Sequence, residues 1–105
     1  MLALHYKSNL RDILFNLFEL LEVQHTSLGK GPFANMDEAT AREALRATEK
    51  LCTEELQKSY VESDRVELGF DGKGNVTLPP GLANHYRTFY ESGSHLFNLP
   101  EHMGG

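Results

Sequence analysis

The sequence has no tryptophan, a single cysteine and no stretch in which its basic side chains gather. One cysteine, Cys52, excludes an internal disulfide and any paired-cysteine metal or redox motif, and it fits a reducing, intracellular setting. Lys and Arg number 10 against 15 Asp and Glu, for a net charge of -5, so the dense positive patch of a nucleic-acid site is missing. No apolar run approaches the ~20 residues that span a bilayer. The opening MLALHYKSN is only briefly apolar and has no basic segment ahead of it, unlike a signal peptide. These absences point to a soluble, cytoplasmic protein, and 105 residues suit a single domain, 1–105, with a small core.

What is present is mostly helical periodicity. Between Asn9 and Val23, the residues Leu10, Ile13, Leu14, Leu17, Phe18 and Leu21 recur at three- and four-residue steps, with Asn9 placed to cap the start. With Leu20 they cover a stripe of about 160° on a regular helix, wider than a surface helix needs, and Phe15 falls outside it. The Gly- and Pro-bearing SLGKGPFANMD then reads as a loop ending in Asp37, a helix cap. A second helix is predicted through EATAREALRATEKLCTEELQKSYVES, its inner edge following Ala41, Ala44, Leu45, Thr48, Leu51, Cys52, Leu56 and Tyr60. After Asp64, VELGF and NVTLP flank DGKG and predict a short β-hairpin. Pro79 and Pro80 open a third helix whose aromatic face is Tyr86, Phe89 and Tyr90, and Gly93 stops it. The expected fold is mainly α: about three helices with one short hairpin, divided into an N-terminal extension helix and loop over 1–35 and the start of a helical domain over 36–105.

No candidate chemistry reaches a catalytic set. His5, His25, His85, His95 and His102 are scattered, without the paired spacing that puts two metal ligands on one helical turn. GKGPF and GKGN lack the spacing of a phosphate-binding loop and read as turns. Cys52 lies on a predicted inner edge, where cysteine packs as a small hydrophobe. Asp12, Glu19 and Glu22 fit the solvent face of an amphipathic helix, and their acidity with only Arg11 beside them argues against a membrane-lying helix. The closing Gly104-Gly105 pair lacks the extended, basic lead-in of a ubiquitin-like modifier. The expected contact surfaces are the stripe residues Leu10, Leu14, Leu17, Phe18 and Leu21 and the aromatics Tyr86, Phe89 and Tyr90; broad apolar faces of this kind usually meet a partner.

Three stretches, taken in order, resemble acyl-CoA dehydrogenases. HYKSNLRDILFNLFELLEV at 5–23 is similar to the N-terminal extension of a bacterial branch of that family, in which a tyrosine, an Arg-Asp pair and a Phe-x-Leu-x-Glu run recur; the matching positions are Tyr6, Arg11, Asp12, Phe15, Leu17 and Glu19. VTLPPGLANHYRTFYESG resembles the family's passage from a hairpin into a helix, and NLPEHMGG resembles its Pro-Glu-x-x-Gly-Gly turn between helices. Ser94-His95 departs from the bulky aromatics common after the glycine.

The resemblance implies a flavoprotein of fatty acid metabolism. In such an enzyme a glutamate removes the α proton of an acyl-CoA thioester and FAD accepts the β hydride. The polypeptide has a helical N-terminal domain, a central β domain and a C-terminal bundle, and it forms homo-oligomers. No catalytic, cofactor-binding or metal-binding residue of this sequence matches the family's machinery. The resemblance therefore implies a fragment or split subunit of the helical N-terminal domain, inactive alone and binding no cofactor by itself, with FAD and the acyl-CoA substrate belonging to the full enzyme. The rival expectation is a self-contained helical module that dimerises through its first helix.

Overall fold

The computed structural model describes residues 6–105; His5 and the opening apolar stretch lie outside the described residues. The chain is mainly α with a two-stranded antiparallel sheet, as expected, and it divides into two compact units, Tyr6–Thr53 and Glu54–Gly105.

In the first unit, Asn9 accepts a hydrogen bond from the Asp12 N–H at 3.2 Å and starts α1 (Leu10–Leu14). The helix runs on without a break but widens into π-helical turns over Phe15–Leu20, closed by a Leu21 N–H to Asn16 carbonyl bond of 2.9 Å. The Asn16 side-chain amide donates to the Asp12 carbonyl at 2.8 Å. No glycine ends this helix; Glu22 takes the left-handed conformation instead, at φ 51, and Gln24 donates to the otherwise open Phe18 carbonyl at 2.9 Å. After the short α2 (Val23–Thr26) and the loop, Asp37 accepts from the Thr40 N–H at 2.7 Å and caps α3 (Glu38–Glu54). These bonds to the exposed Asp37 carboxylate hold its pKa below the usual value.

The widened turns correct part of the expected stripe. They add about one residue per turn, so a pattern counted at 3.6 drifts off its face after Leu14. Phe18 is buried at 3 % exposure, while Leu20 and Leu21, counted into the stripe, are 63% and 59% exposed. The expected inner edge of the second helix is also looser than the sequence implied. No residue of α3 is fully buried, and Ala44, Thr48 and Tyr60 are exposed.

The second predicted helix is not continuous. Glu55 breaks from α3 at φ -116, and Leu56–Ser59 forms a tighter 3₁₀ turn before α4 (Tyr60–Arg65). A side-chain network explains the break. In a continuous α-helix the Leu56 carbonyl would serve the Tyr60 N–H; here that N–H bonds to Gln57, and the Leu56 carbonyl faces His85 Nδ1 at 3.1 Å and the Ser59 hydroxyl at 3.2 Å. Ser59 is buried and lies 3.0 Å from His85 Nδ1. Since neither glycine nor proline marks this point, the pattern of helix formers gave no sign of it.

The same network ties α4 and the 3₁₀ turn to α5 (Pro80–Glu91), whose first turn begins at Pro80 as the sequence indicated. The Glu62 carboxylate of α4 lies against Gly81, where a β-carbon would meet it. The hairpin pairs β1 (Gly69–Phe70) with β2 (Val76–Thr77), Phe70 opposite Val76. Its turn is held by Asp71, which accepts from Lys73 N, Asn75 N and the Asn75 side chain at 2.7, 3.1 and 2.6 Å, so its pKa is lowered, chiefly by Asn75. Gly72 and Gly74 supply the positive φ angles this tight turn needs.

Replacing Ser59 by alanine removes the buried hydroxyl from the Leu56–His85 network. The expected loss is about 1–2 kcal/mol of stability, measured by urea denaturation; an unchanged midpoint would mean that the network does not hold α5.

Candidate functional site

The first unit carries an open groove of about 370 Å³ lined by Leu10, Arg11, Leu14, Phe15, Glu19 and Arg42. Its position follows from the change of helix type. On an α-helix a four-residue step advances about 40° past a full turn, whereas on the wider π turns the same step falls short by a comparable amount. Arg11, Phe15 and Glu19, one such step apart across the junction at Leu14, therefore stay in one row. Phe15, which a uniform helix would place off the apolar face, is 48% exposed beside that groove.

Arg42 of α3 closes the other side. Its guanidinium lies 4.3 Å from the centroid of the Phe18 ring and pairs with Glu38 at 3.0 Å, so one side chain both lids the buried aromatic and presents charge to the groove. Arg11 and Glu19 make no ion pair with a described residue. The result is an apolar floor with charges of both signs around it.

The expected contact residues fall into two groups. Leu10 and Leu14 line the groove, Leu17 is half-buried, Phe18 is buried, and Leu21 is exposed. In the second unit, Phe89 and Tyr90 pack edge-on at 5.7 Å, and His95 lies 4.6 Å from Tyr90 and 6.2 Å from Phe89; Tyr86 is exposed and packs against His85. His95 Nδ1 is buried without a hydrogen-bond partner among the described residues. Reading for apolar period alone missed Arg42. The usable signal was its place four residues after Glu38, an ion-pair spacing next to a small-residue helix face.

The geometry excludes a nucleophile at Ser59 despite its histidine neighbour. A carbonyl can only accept, so the Leu56 oxygen places the proton on His85 Nδ1, and that nitrogen cannot also take a proton from Ser59. Cys52 is a half-buried free thiol, and no group of three metal-ligating side chains occurs among the described residues. No helix among the described residues is long and apolar enough to cross a membrane.

No protein-family model matches the chain. Over 102 residues, 96% of its length, it is 38% identical to the broad-specificity linear acyl-CoA dehydrogenase FadE5 of Mycobacterium tuberculosis. The chain is related to the acyl-CoA dehydrogenases. It spans 16% of the length of that relative, and the similarity runs through both units of the fold.

Arg42→Met keeps an apolar cover over Phe18 while removing the cation and the Glu38 pair. It should cost about 0.5–1.5 kcal/mol, and Arg42→Ala, which also uncovers the ring, should cost more. Equal midpoints for the wild type and both variants in chemical denaturation would show that Arg42 is not the lid.

Proposed function

We propose that this chain serves as helical N-terminal structure of an FAD-dependent acyl-CoA dehydrogenase. In that role it forms part of the wall of the acyl pocket and contacts other domains or a second subunit during α,β-dehydrogenation of an acyl-CoA thioester. The observation that carries the proposal is the identity of 38% across nearly the whole chain to a relative whose name specifies linear acyl-CoA substrates. The extent of exposed apolar surface on the helices and hairpin supports it, since a self-sufficient small domain would bury more of its large side chains.

The chemistry itself is assigned to segments outside these residues. Proton abstraction needs a carboxylate in a dry pocket beside a polarised thioester carbonyl, and hydride transfer needs a flavin ring held against the β carbon. The groove between α1 and α3 offers neither enclosure nor a flavin slot, so these residues support and shape rather than react. The faces containing Leu10 and Leu14 and containing Tyr86, Phe89 and Tyr90 are assigned to those contacts. A cytoplasmic location and a homo-oligomeric enzyme belong to the same reading.

The test is turnover. The purified chain mixed with FAD and a linear acyl-CoA should reduce no electron-acceptor dye, whereas its co-expression with the part of the related dehydrogenase that it does not match should give acyl-CoA-dependent reduction. Stoichiometric flavin and turnover from the chain alone would overturn the proposal, as would failure of the combined polypeptides to turn over.

A further inference from the structure

The hairpin turn carries a reactive dipeptide. Asp71–Gly72 is the one place in the sequence where glycine follows an aspartate or asparagine, and glycine, having no side chain, least shields its own amide nitrogen. That amide is uncommitted: it donates no backbone hydrogen bond among the described residues, and a β-carbon on Gly72 would meet nothing within 4 Å. The chain is exposed from Gly69 to Thr77, so water reaches both groups. Against this, the Asp71 carboxylate is committed to residues further along. One oxygen, Oδ1, accepts from the Lys73 and Asn75 N–H groups at 2.7 and 3.1 Å, and Oδ2 accepts from the Asn75 side-chain amide at 2.6 Å.

We propose that Asp71–Gly72 is a site of spontaneous isomerisation to isoaspartate, and that the Asn75 side chain is the restraint that slows it. In this reaction the Gly72 nitrogen attacks Cγ of the protonated Asp71 carboxyl. The N–Cγ bond forms, and the carboxyl hydroxyl leaves with the amide proton as water. A second water then opens the five-membered imide. Opening at Cγ returns aspartate; opening at the main-chain carbonyl of residue 71 gives isoaspartate, in which the chain runs through the β-carbon and the α-carboxylate is free. One water is lost and one regained, and no other reagent is consumed. The clamp opposes the reaction in two ways. Both oxygens must leave their donors before Cγ can reach the Gly72 nitrogen, and the same donors, Asn75 chief among them, favour the ionised carboxylate over the protonated form from which water departs. Isoaspartate adds one atom to the main chain of the turn, so its formation disrupts the register that sets Phe70 opposite Val76.

The experiment incubates the full 105-residue chain at physiological temperature and mildly acidic pH, with circular dichroism to confirm the fold of each variant. Isoaspartate is counted with protein L-isoaspartyl methyltransferase and labelled S-adenosylmethionine, which esterify the freed α-carboxylate, and is placed by electron-transfer fragmentation of the peptide that holds residue 71. The folded wild type should gain it slowly at that position, and the same chain unfolded in urea about tenfold faster. Asn75→Ala should speed the folded chain about fivefold, as should Asn75→Asp, which sets a second carboxylate against the first. Val76→Ala thins the strand pair but leaves the clamp, and it should keep the wild-type rate. Absence of isoaspartate at residue 71 in the unfolded chain would overturn the site. Equal rates for folded and unfolded wild type, a wild-type rate in either Asn75 variant, or equal acceleration by Val76→Ala would overturn the restraint.

Discussion

Phe18 is the large apolar side chain on which the first unit closes, and it is the one such side chain among the described residues that is buried, at 3% exposure. Its cover is unusual because it includes a cation: the Arg42 guanidinium sits on the ring face while Glu38 holds the guanidinium from the side. This arrangement keeps a charged group at the surface and still excludes solvent from the aromatic. The π turns are its geometric counterpart. They leave Phe15 at the border of the groove, while Phe18 keeps the inner position that a regular helix also gives it.

The second unit is organised by polar rather than apolar burial. Ser59, His85 and the Leu56 carbonyl form a compact triangle that substitutes for a missing α-helical bond and fixes the start of α4 against α5. Around it, much apolar surface stays in water, including Phe70 on the hairpin and Phe97 beyond α5, each 68% exposed. A two-stranded hairpin is marginal without packing on one face. Here the Asp71 clamp organises the turn, while the Phe70–Val76 pair remains open. Both units thus leave large apolar side chains open to water.

Much of this fold was legible in the sequence because its signals were local. The Asn9 and Asp37 caps, the paired prolines at the start of α5, Gly93 after it and the DGKG turn each act within a few residues, and each occurs where expected. The misses share a different cause. The π turns and the break at Glu55 depend on where Phe18 and His85 end up in three dimensions, and a count of apolar residues at a fixed period cannot register either. The Arg11, Phe15 and Glu19 positions carried the family resemblance, yet their juxtaposition in one groove required the change of helix type. Arg42 received no role from the sequence, because the ring it covers lies on another helix.

The central claim is that the chain's open apolar faces are made to be covered by the rest of an acyl-CoA dehydrogenase. Amide hydrogen exchange tests it most directly, comparing the chain alone with the chain joined to the segments of the related enzyme that it does not match. Covered faces should exchange more slowly in the joined protein, with added protection concentrated in Leu10–Leu14, Phe15–Leu20 and Pro80–Glu91. Identical exchange in those helices, alone and joined, would contradict the claim.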